Sequence, residues 1–290
     1  MFDKNFTNFS RNYKIGISWF IFSLIVSSFN DVIAKYLSFY LPPLEISFYR
    51  FLFSTVSLLP FVLYNGILSI KTLQFTYHFI RGLFLALAIF LWINGLKSSQ
   101  VIMATIISFT TPMFILILAP IILKESISLK LWIVTFVGII GILITITPNT
   151  VNFTIDSCPF VIAAMFFASL DIINKKYVIQ ETMPSMLFYS SLFTTIFLFL
   201  PLNFNLITPQ TIDLIFFIFL GVNSNIILFC ILKAFNLVKV SSLAPLRYLE
   251  LLFSGLLGYF VFNDIPNIYM LLGTLVIIPT SLYIAIQHFK

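Results

Sequence analysis

Apolar residues run in blocks of about twenty along the whole chain, separated by short polar or turn-forming breaks. A helix rises about 1.5 Å per residue, so a block of this length matches the ~30 Å hydrocarbon layer of a bilayer. The pattern predicts ten spanning helices, at residues 15–37, 44–64, 75–95, 98–122, 127–147, 157–178, 184–203, 210–233, 240–262 and 266–286. Leu41-Pro42-Pro43, Asn65-Gly66, Pro148-Asn149, Pro201 to Asn205 and Asn263 to Asn267 supply the turn-forming breaks. No block alternates with period two, which argues against a membrane β-barrel. Residues 1–14 are polar and are expected to form a cytoplasmic tail. The apolar block behind them lacks a small-residue cleavage site, so it predicts a first span and not a signal peptide.

Composition agrees with an all-α integral membrane protein. The 290 residues are 60% hydrophobic and 9% charged, with mean hydropathy +1.07. Soluble domains carry roughly a quarter charged residues, so a water-soluble enzyme, a nucleic-acid binder and a disordered chain are excluded. The net charge of +6 then becomes a question of position. With ten spans and the N-terminus inside, Lys4, Arg11, Lys14, Lys71, Arg81, Lys124, Lys130, Lys175, Lys176, Lys233, Lys239 and Lys290 all fall on the inner side. Only Lys35 and Lys97 fall outside, and Arg50 and Arg247 lie within spans. This is a positive-inside bias that predicts cytoplasmic N- and C-termini, and it needs no nucleic-acid partner. Cys158 and Cys230 suggest core thiols, with neither a disulfide framework nor a metal cluster.

The chain also resembles itself. Asp31-Val-Ile-Ala-Lys35 aligns with Asp171-Ile-Ile-Asn-Lys175 at an offset of 140. At the same offset Leu52-Phe53-Ser54-Thr55 aligns with Leu192-Phe193-Thr194-Thr195. Gly82 aligns with Gly221, and Glu125 with Asp264, at an offset of 139. Five is odd, so two five-helix units, 15–147 and 155–286, enter the membrane from opposite sides. Inverted repeats of this kind are common in secondary transporters, whose substrate site lies near the midplane between the repeats.

Charges inside spans are expensive and point to function. Span nine carries Arg247 about 10 Å and Glu250 about 15 Å from its inner end, near the middle of the core. Spaced i,i+3, the two can pair on one face. Pro245 interrupts the helix beside them. A midplane substrate site and a buried structural ion pair both fit. In span four, Ser108, Phe109, Thr110, Thr111 and Pro112 align with this region, Ser108 opposite Arg247 and Phe109 opposite Tyr248. Asp31 with Lys35, and Asp171 with Lys175, are expected to form mirrored ion pairs at the rims, acting as alternate gates. Arg50 is expected near the outer face, snorkelling or pairing with Glu45. Asn223, Ser224 and Asn225 form a polar knot facing either the cavity or a neighbouring helix. Trp19, Trp92 and Trp132 are expected to pack at the interface or against lipid.

The two halves, the Asp-x-x-x-Lys ends of spans one and six, and the Leu123-Lys-Glu-Ser126 turn resemble the ten-helix EamA-type carriers of the drug/metabolite transporter superfamily. Ser28 to Tyr36, Leu170 to Tyr177, Ser185 to Tyr189 and Ala244 to Leu251 resemble more narrowly its S-adenosylmethionine carriers in rickettsia-like bacteria. The resemblance implies a secondary transporter of the bacterial inner membrane. Its expected partners are the lipid bilayer and small molecules, S-adenosylmethionine entering in exchange for S-adenosylhomocysteine. It implies no cofactor, no metal and no obligatory protein partner. Glu250, with Asp31 or Asp171, could face the cationic groups of such a solute, and Arg247 its carboxylate. Tyr248 and Phe109 could stack on adenine or face the sulfonium, with Ser108, Thr111 and Asn223 as further polar contacts. An exporter of amino acids or other zwitterions fits the same residues. An integral membrane enzyme has less support, because His78 and His288 are the only histidines and no nucleotide-binding loop is present.

Overall fold

The computed structural model describes residues 2–98, 110–145, 158–202, 207, 209–263 and 268–287. Among these there is no strand, and ten helical passes can be counted. They are α1 (Phe2–Ser38), α2 (Pro43–Asn65), α3 (Phe75–Ser98), α4 (Thr110–Leu118), α5 (Leu129–Thr145), α6 (Cys158–Tyr177), α7 (Met183–Phe199) and α8 (Thr211–Leu237). A broken pass follows, made of α9 (Val240–Leu243), a 3-10 segment (Ala244–Leu249) and α10 (Glu250–Phe262). The last pass is α11 (Ile268–Gln287). By length and composition, six of the passes can cross a bilayer. Four more are apolar but shorter over the described residues. Large apolar side chains such as Leu63, Leu68, Phe260 and Leu275 remain exposed on the outside, as a hydrocarbon solvent permits.

Helix boundaries follow local chemistry. α1 begins at Phe2, so the residues expected as an N-terminal tail are helical, and Tyr13 is buried in a cluster with Phe20, Phe235 and Val238. Pro245 has no N–H for the Ser241 carbonyl, and the ninth pass tightens into 3-10 geometry over Ala244–Leu249. After α4 the chain widens into a π turn at Ala119–Leu123, which holds Pro120. Lys124 and Asn263 both take φ 55, ending passes four and nine in the same left-handed cap. These two residues stand 139 positions apart.

Packing obeys the same correspondence. α1 packs on α8 as α6 packs on α3, α2 on α8 as α7 on α3, and α4 on α6 as α10 on α1. α2 packs on α7, and α5 on α11. Gly221 lets α8 approach the backbone of Phe53 and Ser54, where an added Cβ would lie 2.5 Å from the Ser54 nitrogen. Gly82 does the same against Phe193, at 2.3 Å from its Cβ. The Thr55 and Thr195 hydroxyls lie 3.3 Å apart. Each is the other's counterpart at the repeat offset of 140.

Candidate functional site

The helices form a central cavity that is open at one mouth. Its charged lining is Asp31, Arg50, Asp171, Arg247 and Glu250, so three carboxylates face two guanidinium groups. Its hydroxyl and amide lining includes Ser23, Ser27, Ser54, Asn174, Ser224 and Asn225. Helical spacing explains several of these. Ser23, Ser27 and Asp31 fall at i, i+4 and i+8 on α1, and Gly221, Ser224, Asn225 and Leu228 at i, i+3, i+4 and i+7 on α8.

Asp31 accepts a bond from the Trp92 indole nitrogen at 2.8 Å. Glu250, the first residue of α10, accepts from Ser27 on α1. Among the described residues neither carboxylate forms a salt bridge, and the two lie within electrostatic reach of each other. Arg50 is buried and donates from Nε to Ser224 Oγ at 2.7 Å. Asn225 ties α8 to α2 by donating to the Ser54 carbonyl at 2.8 Å while accepting from the Ser54 hydroxyl at 2.8 Å. Arg247 forms an ion pair with Asp171, and its guanidinium lies 5.5 Å from the Phe20 ring centre.

The end of the bundle that carries the α2–α3 and α6–α7 connections is held by polar contacts. Lys175 donates to the Phe235 carbonyl and to the Val238 carbonyl at 2.9 Å, satisfying carbonyls at the end of α8. Glu125 accepts from the backbone of Ser241 at 3.2 Å and from its hydroxyl at 2.6 Å, capping the short α9. Glu181, in the α6–α7 connection, accepts from Thr72 at 2.8 Å and from Ser185 at 2.9 Å. Partial burial works to raise its pKa, but the bonds from Thr72, Ser185 and His78 hold it below the usual carboxylate range. At the opposite end Tyr40 donates to Asp213 at 2.7 Å. Glu45 there accepts from the Ile207 nitrogen.

The profile of the EamA-like transporter family matches this chain twice, over residues 14–147 and 157–286. The chain belongs to the EamA-like transporter family. Similar members include the S-adenosylmethionine uptake transporter of Rickettsia bellii, 45% identical, covering 97% of this chain and 96% of that one. The S-adenosylmethionine uptake transporter of Rickettsia prowazekii is 44% identical, covering 97% of this chain and 95% of that one. A riboflavin transporter of Vibrio cholerae is 28% identical over 93% and 92% of the two chains. A solved crystal structure shares the fold at TM-score 0.71, with 15% identity and 96% coverage of both chains.

Within this EamA-like chain the expected site residues separate into three groups. Glu250, Arg247, Asp31, Asp171, Thr111 and Arg50 all line one cavity. Ser108 and Phe109 lie outside the described residues. The others fall elsewhere. Tyr248 is fully buried, its ring set against Gly138 and its hydroxyl donating to the Thr135 carbonyl at 3.2 Å. The 3-10 winding turns it toward α5, so it has no face to offer a solute. Asn223 is off the lining because α8 presents Ser224 and Asn225 there.

The expected rim pairs are also absent as pairs. Asp31 and Asp171 sit deep enough to be claimed by Trp92 and Arg247. Lys35 lies 5.1 Å from the Phe262 ring centre instead, and Lys175 serves the carbonyls of α8. Arg247 pairs with Asp171 and not with Glu250, because α6 brings a buried carboxylate to its guanidinium. Arg50 turns inward to Ser224, while Glu45 is occupied by Ile207. Trp92 is a buried donor to Asp31 and no interfacial anchor. Sequence reasoning also passed over Arg81, His78 and Asn174, all buried. The spacing of Asp171 and Asn174, one turn apart on α6, was the available signal. Among the described residues no three His, Cys, Asp or Glu side chains gather as a metal site requires.

Proposed function

We propose that this carrier imports S-adenosylmethionine across the bacterial cytoplasmic membrane in exchange for S-adenosylhomocysteine. The observation that carries the reading is the cavity's charge, taken with relatives of 44% identity or more named for S-adenosylmethionine uptake. Three carboxylates against two guanidinium groups leave one acid in excess when all are ionised. S-adenosylmethionine, with a sulfonium, an ammonium and a carboxylate, carries one net positive charge. Loading it neutralises the cavity, which matters because uncompensated charge is costly in a low-dielectric interior. Asp31 and Glu250, which form no salt bridge among the described residues, take its cationic half, and Arg247 and Arg50 stand near its carboxylate.

The two halves, 15–147 and 155–286, act as inverted repeats that rock around the cavity and open it to each side in turn. The α6–α7 end and both termini face the cytoplasm, following the positive-inside bias. One chain supplies both halves, so the carrier works without a protein partner. Counterflow of labelled S-adenosylmethionine into proteoliposomes tests the reading. Saturable uptake, competed by S-adenosylhomocysteine but not by riboflavin or amino acids, is the expected result. Uptake that does not saturate, or that amino acids compete for equally well, would overturn it.

A further inference from the structure

Asn174 lines the cavity one turn along α6 from Asp171 and is itself buried. Its carbonyl oxygen accepts from Arg81 Nε at 2.8 Å. Arg81, from α3, is 2% exposed, and among the described residues no carboxylate lies within salt-bridge distance of it. A buried guanidinium without such a partner is expensive in a membrane protein. Its second contact is His78 Nδ1, 3.2 Å from Nη1. Because guanidinium nitrogens only donate, His78 must accept at Nδ1 and carry its proton on Nε2. That nitrogen faces Thr72 Oγ1 at 3.1 Å and Glu181 Oε2 at 3.5 Å.

The directions of these bonds leave one orientation for the Asn174 amide. Its oxygen is committed to Arg81, so its NH2 group is turned the other way. Among the described residues the NH2 has no hydrogen-bond partner, and its nitrogen is not among the fully buried side-chain atoms left without one. Arg81 pulls electron density through the amide and makes the NH2 a better donor. The positions that correspond to Asn174, His78 and Arg81 in the other half are Ala34, Phe217 and Leu220, buried together in one apolar cluster. The donor therefore exists on one wall only and is not a requirement of the fold.

We propose that Asn174 determines specificity by donating from its amide NH2 to a hydrogen-bond acceptor of the transported solute, with Arg81 as the residue that positions it. The proposal rests on the cargo reading above. The acceptor is either a ring nitrogen of the purine or an oxygen of the carboxylate.

Competition against labelled S-adenosylmethionine uptake tests it, using two analogues, one with a purine ring nitrogen replaced by CH and one lacking the carboxylate. Wild-type carrier is expected to bind one of them about 10-fold more weakly than the parent, the scale of a single hydrogen bond. Asn174→Ala should raise KM about 10-fold at retained Vmax and erase discrimination against that analogue alone. Asn174→Asp keeps the shape and the Arg81 contact but removes the donor, so it should behave alike if the alanine variant fails to fold. Arg81→Lys should blunt the same discrimination, which a purely structural role would not move. Variants that discriminate against both analogues as the wild type does would overturn the proposal while leaving the cargo reading intact. Absence of uptake by the wild type would overturn both.

Discussion

Replacing Glu250 with Gln should change which solute the cavity prefers, beyond any general loss of affinity. The substitution keeps the side chain's size and its capacity to accept from Ser27. What disappears is one of three carboxylates facing two guanidinium groups. A unit charge about 6 Å from the solute's cation, at an effective dielectric near 20, is worth about 2.8 kcal/mol, or roughly 100-fold. The cavity has an open mouth, so water screens part of this, and about 10-fold is a realistic floor. S-adenosylmethionine should lose this amount, whereas S-adenosylhomocysteine, which lacks the sulfonium, should lose far less. Purified wild type and Glu250→Gln carrier in proteoliposomes, each assayed for inhibition of labelled uptake by both solutes, give the ratio of the two affinities. A ratio shifted by 10-fold or more toward S-adenosylhomocysteine is expected. Equal weakening of both solutes would refute the charge argument, and because the ratio is measured within one preparation, differences in expression cannot mimic the effect.

The proposed exchange of a cation for a net-neutral zwitterion moves one charge inward per cycle. An inside-negative potential of 100 mV, worth about 2.3 kcal/mol, should therefore raise the accumulation ratio roughly 50-fold, and a ratio unmoved by a potassium–valinomycin potential would refute electrogenic exchange. Asp171→Asn or Arg247→Gln alone leaves one buried charge without its partner and should cost about 3–5 kcal/mol of stability, whereas the double variant should recover most of it; thermal melts of detergent-solubilised protein measure the difference. Gly221→Ala drives a methyl into the backbone of Phe53 and Ser54, 2.5 Å from the Ser54 nitrogen. It should destabilise the α2–α8 contact by about 1–3 kcal/mol, and unchanged melting would show that the helices yield freely.

Architecture was largely legible because the bilayer imposes it. Block length gives the number of passes, and the breaks give their ends. The repeat offset aligned Thr55 with Thr195 and Glu125 with Asp264 before any coordinates. The presence of Asp31, Arg50, Asp171, Arg247 and Glu250 inside the membrane was equally visible, since charge there stands out against an apolar background. Who pairs with whom was not. Neighbours along one helix suggested Asp31 with Lys35, Asp171 with Lys175 and Arg247 with Glu250. The observed partners, Trp92, Phe235 and Asp171, come from other helices and depend on rotation and depth that sequence spacing does not encode. Arg81 was assigned to the inner surface by the positive-inside count, and His78 entered only as one of two histidines. Their burial becomes apparent only when α6 brings Asn174 beside them.

The contact between Thr55 and Thr195 carries a geometric consequence. If the two halves are related by a two-fold axis, as proposed, a residue that touches its own counterpart marks a point on that axis. If transport exchanges the conformations of the halves, that operation maps this contact onto itself, so it is the same in both end states. An off-axis contact whose counterpart is not made at the same time must be traded for that counterpart. Tyr77 against Tyr177, at 3.8 Å between ring centres, lies off that point. A covalent bridge between positions 55 and 195 would then leave the cycle running. On that proposal the fixed point of the motion is a pair of hydroxyls.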